Sequence, residues 1–221
     1  MALTAEEDMS KACIIAGIII KQKLLVQQLI HKPVMKKAEV AEVIPSKKII
    51  VGESKAPVTL MMFGDYESEA SAKANEVVKE ILVAFPQEVK FTFRHFPLVK
   101  VHQKAHKAAE ASLAAAQEGK FWEMHNELFA NRRNLGTISL KGHAREAGVK
   151  SKKFLDELVN SHYGAYVQDD LKEGIKLGVK EVPAFFINGE QFKGEITFKG
   201  LNTAVKAALQ DKQTKDAHRA A

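Results

Sequence analysis

The 221-residue sequence contains a single cysteine, Cys13, and this scarcity limits the chemistry open to the protein. One cysteine cannot form a disulfide within the chain, and it provides no Cys-x-x-Cys pair for thiol exchange or zinc binding. Cys13 lies in an apolar segment near the N-terminus, where a buried, inert thiol is favoured over a reactive one. The cysteine count leaves the cellular compartment open.

A long hydrophobic run is also absent. Ala12 to Ile20 contains only small or apolar residues, but Lys21-Gln22-Lys23 interrupts the run before it could span a bilayer. The run is long enough for the core of a signal peptide, yet acidic residues precede it and no small-x-small cleavage site follows. We expect residues 1–46 to be an N-terminal helix and linker, with 1–32 as a candidate oligomerisation segment. A degenerate export signal or membrane anchor is the alternative.

The polar residues show no pattern typical of nucleic-acid or metal binding. The net charge is +6, but Arg residues are not interleaved with aromatic residues, so a solvated surface is favoured over a nucleic-acid footprint. His102 and His106 are four residues apart and would share a helix face, but no third ligand follows at a metal-site spacing. We therefore predict no nucleic-acid partner, no metal and no cofactor.

The stretch from Val58 to Ser71 organises the rest of the chain. Val58 to Phe63 is apolar except for Thr59 and predicts a buried strand, and Gly64-Asp65 ends it. Apolar residues then recur at intervals of three and four, which predicts a helix with Ser68 and Ser71 on its first turn. A thiol at such a helix start would have a lowered pKa, but both positions have hydroxyls. We predict that the serines cap the helix rather than act as nucleophiles.

The turn Phe63-Gly64-Asp65-Tyr66-Glu67 resembles the active-site segment of DsbA-like thiol-disulfide oxidoreductases, which have the thioredoxin fold. In that family a similar turn precedes a Cys-Pro-Tyr-Cys dithiol, whereas this chain has Ser68-Glu69-Ala70-Ser71. The family also tends to have a buried Glu where Met62 stands here, so we expect Met62 to be buried in an apolar pocket. A hydroxyl cannot replace the attacking thiolate, so the resemblance implies a protein without thiol exchange.

A second motif matches the same family. Val182-Pro183 precedes an apolar strand that ends at Asn188-Gly189, and the resemblance implies a cis Pro183 that faces the active-site turn. The fold class is therefore α/β, a thioredoxin-like domain over 47–210 with a helical insertion over about 100–177 and a polar tail over 211–221. The family also implies an extracytoplasmic or periplasmic location, although no convincing signal peptide is present.

Periodicity and capping residues predict the remaining elements. They comprise two further strands and six helices, one of them with Ser151 as its N-cap: strands Glu88 to Phe93 and Gln191 to Gly194, and helices Ala105 to Ala116, Gly119 to Ala130, Leu140 to Ala147, Ser151 to Asn160, Tyr163 to Leu177 and Leu201 to Leu209. His95 matches a common residue of the family and is interpreted as structural.

Three functions remain open. The first is a chaperone-like pseudo-oxidoreductase that binds peptide or unfolded-protein segments in a groove formed by Ser68, Glu69, Ala70 and Ser71 with Val182-Pro183. The second is a catalytically disabled or redesigned disulfide oxidoreductase. The third is a homo-oligomeric assembly protein that associates through its N-terminal helix.

Overall fold

Five strands form one mixed sheet in the computed structural model, which describes residues 43–220 and their side chains as far as residue 214. The strands are β1 (Val51–Gly52), β2 (Val58–Gly64), β3 (Val89–His95), β4 (Ala184–Ile187) and β5 (Glu190–Gln191). Their order in the sheet is β1-β3-β2-β4-β5. Strand β2 pairs in parallel with β3 and antiparallel with β4, so it is the central strand.

Seven helices surround this sheet within the described residues, and five of them lie between β3 and β4. They are α1 (Glu69–Ala84), α2 (Ala105–Ala116), α3 (Phe121–Ala130), α4 (Thr137–Glu146), α5 (Phe154–Val159), α6 (Gly164–Lys176) and α7 (Phe198–Ala220). A short 3₁₀ helix, Ser46–Lys48, precedes β1. The α/β architecture with an inserted helical domain is confirmed. The predictions for residues 1–32 and the linker as far as residue 42 lie outside the described residues.

The alternation of side chains along β2 divides the core into two layers. Leu60 and Met62 belong to the main apolar cluster, which includes most of the inserted helices. Phe63 belongs to a smaller cluster on the opposite face, with Phe96 and Phe186 among its members. Both faces of the central strand are therefore covered, which explains its nearly continuous apolar sequence.

Several predicted boundaries are wrong. Strand β3 continues to His95 because the residues after Phe93 still pair with β2. Strand β5 occupies Glu190–Gln191 rather than Gln191 to Gly194, since the two-residue turn at Asn188-Gly189 allows pairing to begin at Glu190.

Several helix ends also differ from the prediction. Helix α5 begins at Phe154, because the Ser151 hydroxyl accepts a hydrogen bond from the backbone N–H of Lys153, at 3.2 Å, in a turn before the helix. Residues 211–220 of the predicted polar tail are helical and continue α7, so the predicted helix end at Leu209 is wrong. This part of α7 is rich in Lys, Gln, Ala and Arg, which favour a helix even without an apolar face.

No helix among residues 43–220 is long and apolar enough to cross a membrane.

Candidate functional site

The two serine hydroxyls after β2 are both engaged in the start of helix α1. Ser68 is the N-cap, and its Oγ accepts a hydrogen bond from the backbone N–H of Ser71 at 3.2 Å. The Oγ of Ser71 in turn accepts from the backbone N–H of Asp65 at 3.3 Å. Ser68 is 7% exposed and Ser71 is fully buried. The predicted capping role is confirmed for Ser68 but not for Ser71, whose hydroxyl accepts from the turn that precedes the helix. No basic side chain is hydrogen-bonded to either hydroxyl in the described part of the chain.

Asp65 fixes the turn between β2 and α1 to the segment that follows β3. One carboxylate oxygen accepts from the backbone N–H of Glu67 at 2.7 Å. The other accepts from the backbone N–H of Leu98 at 2.8 Å and lies 2.9 Å from Nδ1 of His102. The carboxylate is buried and tied to two chain segments, so it holds the turn in place.

The spacing of His102 and His106 predicts that they share a helix face, and the structure does not place them on one. It precedes helix α2, which begins at Ala105, so it does not share a helix face with His106. His106 instead lies 3.2 Å from the carboxylate of Glu110 on its own helix. Both imidazoles are only partly exposed, and the described side chains, residues 43–214, contain no cluster suited to hold a metal ion.

The two residues between the serines are exposed at the start of α1. Glu69 forms ion pairs with Lys73 at 3.0 Å and with Arg132 of the insertion at 2.9 Å. The hydrogen bond from Lys73 and the nearby cations lower the pKa of the Glu69 carboxyl. Ala70 is exposed beside it and provides an apolar spot on the surface of the turn.

The Val182–Pro183 peptide bond is cis and lies at the same end of the sheet as this turn. Phe63 pairs with Ala184, so the segment after Phe63 and the segment before Ala184 leave two neighbouring strands at one edge. The Val182 side chain packs on the smaller core cluster. Within the described residues, the main chain of Glu181 and Val182 forms no hydrogen bond. A groove shared by this loop and the serine turn stays a prediction.

Met62 lies in the sheet next to this edge and is fully buried, as predicted. Its register partners are Phe93 on β3 and Phe185 on β4. The position therefore has apolar neighbours on both adjacent strands.

A buried polar network under the turn was not predicted from the sequence. The Tyr66 hydroxyl lies 3.0 Å from Nδ1 of His125, whose Nε2 lies 2.9 Å from the side-chain oxygen of Asn75. Nε2 of His95 lies 3.3 Å from the hydroxyl of Ser112. These contacts join the turn, α1 and β3 to the inserted helices α2 and α3.

Burial determines the charge states in this network. It lowers the pKa of His95 to about 4 and that of His125 to about 3, and it raises the pKa of the Tyr66 hydroxyl. All three groups are therefore neutral at neutral pH, and their hydrogen bonds join the turn to the insertion without a buried charge. His95 is buried in this junction, which agrees with its predicted structural role.

A buried ion pair fastens helix α6 to strand β3. The Arg94 guanidinium donates to Asp170 at 2.8 Å and to Glu173 at 2.6 Å, and the first carboxylate also accepts from the hydroxyl of Ser46 and the backbone N–H of His95. The hydrogen bond from Arg94 lowers the pKa of Glu173. This cluster sets the position of β3 against the helical insertion.

Comparison with known proteins defines the class. The sequence profile of the family described as Thioredoxin matches residues 45–207. The fold is similar to oxidised BdbD from Bacillus subtilis, with a TM-score of 0.68, 23% identity and coverage of 75% of this chain and 96% of that one. It is also similar to α-DsbA1 from Wolbachia pipientis, with a TM-score of 0.63, 18% identity and coverage of 75% and 92%.

The chain therefore belongs to the thioredoxin family. Within it, the helical insertion between β3 and β4 and the structural neighbours define a DsbA-like fold, which confirms the resemblance seen in the sequence.

Curated relatives of similar sequence are longer proteins. The chain is 32% identical over 165 residues to Na(+)/H(+) antiporter NhaA 1 of Salinispora arenicola, a match that covers 75% of this chain and 25% of the antiporter. It is 33% identical over 166 residues to NhaA 1 of Mycobacterium sp. strain KMS, with coverage of 74% and 27%. The chain spans about a quarter of the length of the curated relatives it matches.

Proposed function

We propose that this protein is a thioredoxin-fold binding module that holds extended segments of peptides or unfolded proteins without exchanging thiols. The observation on which this rests is the combination of two serines at the dithiol positions, both hydrogen-bonded to backbone N–H groups, with an unpaired main chain at Glu181-Val182. The first feature removes the redox chemistry, and the second leaves a surface on which a peptide backbone can bind.

The chemistry at the serine turn supports the first half of the proposal. Attack on a disulfide requires a thiolate, and the described residues contain no cysteine. A serine nucleophile would require a base within hydrogen-bond reach, and among the described residues no basic side chain is hydrogen-bonded to either hydroxyl. The turn is therefore suited to shaping a surface.

The second half of the proposal follows from backbone chemistry. An extended peptide binds beside an exposed main chain through N–H and C=O groups, and pockets for its side chains provide selectivity. The Glu181-Val182 main chain provides such groups next to strand β4. We assign the apolar contact of the groove to Ala70, which is exposed on the first turn of α1. This mode of binding requires no sulfur.

Fluorescence anisotropy with carboxymethylated insulin B chain tests the proposal, because this extended probe has no free thiol. We expect saturable binding to the wild-type protein and severalfold weaker binding to Ala70→Trp, whose indole would occupy the groove. Val182→Pro removes one main-chain donor and should weaken binding as well.

Ala165→Trp is the matched control, since Ala165 is also exposed on a helix but lies in the insertion. Circular dichroism verifies that each variant is folded. Equal affinity of the wild-type, Ala70→Trp and Ala165→Trp proteins would contradict the proposed groove.

One comparison favours a second function. Relatives at 32% and 33% identity are sodium/proton antiporters, and their matching region is about a quarter of their length. We infer that the chain can work as a thioredoxin-fold module beside a membrane antiporter of that class. The test is co-purification in mild detergent with the Salinispora arenicola antiporter from which the matching region has been deleted.

Association with the antiporter would support this second function, and failure to associate would contradict it while leaving the peptide-binding test unaffected. The other two hypotheses lead to different results. A disabled or redesigned oxidoreductase would regain insulin reduction with Ser68→Cys and Ser71→Cys together, and an assembly protein would lose its oligomeric state when residues 1–32 are removed.

A further inference from the structure

The excess positive charge of this protein is concentrated in one part of the helical insertion. Residues 131–153 contain seven Lys or Arg residues and one acidic residue, a net charge of +6 that equals the net charge of the whole chain. The acidic residue is Glu146, and the basic residues are Arg132, Arg133, Lys141, Arg145, Lys150, Lys152 and Lys153. The rest of the chain is electrically balanced.

Four of these basic residues line a groove between helices α4 and α5. The groove has a volume of about 610 Å³, and its cationic lining residues are Lys141, Arg145, Lys150 and Lys152. Among residues 43–214, none of these four side chains has an acidic partner. The carboxylate of Glu118 lies at one border, where it accepts hydrogen bonds from the backbone N–H groups of Lys150 and Ser151.

The floor and rim of the groove are apolar. Ile138 stands at the rim and is 78% exposed, although it is a large aliphatic residue. It occupies the same face of α4 as Lys141 and Arg145, at spacings of three and seven residues. Val149 and Leu155 line the groove and are partly buried.

We propose that this basic groove is a docking surface for membranes that contain acidic phospholipids. An exposed aliphatic side chain among several cations matches the interface of such a bilayer, where the cations meet anionic headgroups and the aliphatic group enters the acyl boundary. This inference is independent of the peptide-binding surface, because it concerns the helical insertion alone.

The composition of the groove favours a lipid surface over other anionic partners. Single-stranded nucleic acids stack on exposed aromatic side chains, and the one aromatic residue of the groove, Phe154, is buried. Three of the four cations are lysines, which are flexible point charges rather than rigid bidentate forks. A diffuse layer of headgroups requires no fixed geometry, unlike a single carboxylate in an acidic peptide.

Vesicle co-sedimentation with the full-length chain tests the proposal. We expect binding to phosphatidylcholine vesicles that contain phosphatidylglycerol, weaker binding at high salt, and little binding to phosphatidylcholine alone. The double variant Lys150→Glu, Lys152→Glu should lower the affinity by about tenfold or more, because each basic residue near an anionic surface contributes to binding. The control Lys199→Glu, Lys206→Glu makes the same charge change at exposed positions on α7 and should bind as the wild type does.

A second pair of variants separates insertion from simple charge attraction. Ile138→Gln keeps the charge and should weaken vesicle binding severalfold, whereas Val83→Gln, at a position 81% exposed on α1, should not. Excess inorganic phosphate at matched ionic strength should not displace the protein from the vesicles.

Three results would overturn the proposal. They are unchanged binding of Lys150→Glu, Lys152→Glu, equal binding to neutral and acidic vesicles, and tighter binding to a single-stranded oligonucleotide or to polyglutamate than to acidic vesicles.

Discussion

Replacing Met62 with Glu tests the apolar environment below the former dithiol position. Met62 is fully buried, and its neighbours on the adjacent strands are Phe93 and Phe185. Met62→Gln would bury an unpaired amide at this site and should lower the free energy of unfolding by about 1–3 kcal/mol. Burial of a carboxyl raises its pKa by about 3 units or more, and each unit costs about 1.4 kcal/mol in the ionised state. Met62→Glu should therefore lose about 5 kcal/mol or more at pH 7, a large part of a typical domain's stability.

The pH dependence separates ionisation from the loss of packing. Burial would raise the folded-state pKa of the carboxyl introduced by Met62→Glu, so the destabilisation should be smallest below about pH 4, near the unfolded pKa. The deficit should grow as the pH rises toward the folded-state value. Urea unfolding of Met62→Glu, compared with wild type at each pH, measures this growth. Met62→Gln is the matched neutral variant and should show a nearly constant deficit. Equal deficits for the two variants at pH 5 and pH 7 would refute the reasoning.

Three further predictions follow from the described contacts. The protein should show no insulin reduction, and any turnover that survives Cys13→Ser would contradict the assignment of a site without thiols. Asp170→Asn should cost about 3 kcal/mol because it removes the buried carboxylate and leaves the buried Arg94 guanidinium only the half-exposed carboxylate of Glu173 as a charged partner, whereas Glu173→Gln should cost less than about 1 kcal/mol; equal costs in urea unfolding would count against this. Folded-state pKa values of about 4 for His95 and about 3 for His125 lie below the unfolded value of about 6.5, so stability should fall as the pH drops from about 6.5 toward 4. The slope should approach about 2.7 kcal/mol per pH unit for the two groups and be roughly halved in His125→Gln, and a flat stability profile over that range would contradict it.

The central strand, its turn and the first helix could be predicted because local residue types determine them. An apolar strand that is covered on both faces has a nearly continuous apolar sequence, and the strand extends one residue beyond the predicted end because Gly64 still pairs with His95. Ser68 is a favoured N-cap and is the N-cap in the structure. The fold class followed from motifs that occur in one order along the chain. These features are encoded within a few neighbouring residues.

The buried polar contacts could not be predicted, because each depends on residues far apart in sequence. Asp170 lies on an otherwise polar part of α6, and its burial results from Arg94, which is 76 residues away. The sequence indicates only a turn at Asp65, but its carboxylate also accepts from the backbone N–H of Leu98 and contacts the imidazole of His102. Nothing in the local pattern distinguishes such residues from solvated ones.

Two errors have local causes. Ser151 is a favoured N-cap residue type, but its hydroxyl accepts from the backbone N–H of Lys153 in a turn, and the helix begins only at Phe154. The end of α7 has no apolar periodicity, so the periodicity does not predict this part of the helix, which depends on the helix propensity of its residues. The net charge of the whole chain does not show where the basic residues lie, whereas a count over residues 131–153 shows that the excess is concentrated there.

The most direct test of the central claim is NMR titration of the isotopically labelled protein with carboxymethylated insulin B chain. We predict that the amides of Ser68 to Ser71 and Glu181 to Ala184 shift first and saturate together, and that Cys13→Ser leaves these shifts unchanged. Absence of shifts in both segments at saturating peptide, or shifts confined to other surfaces of the protein, would contradict a peptide-binding groove that works without sulfur.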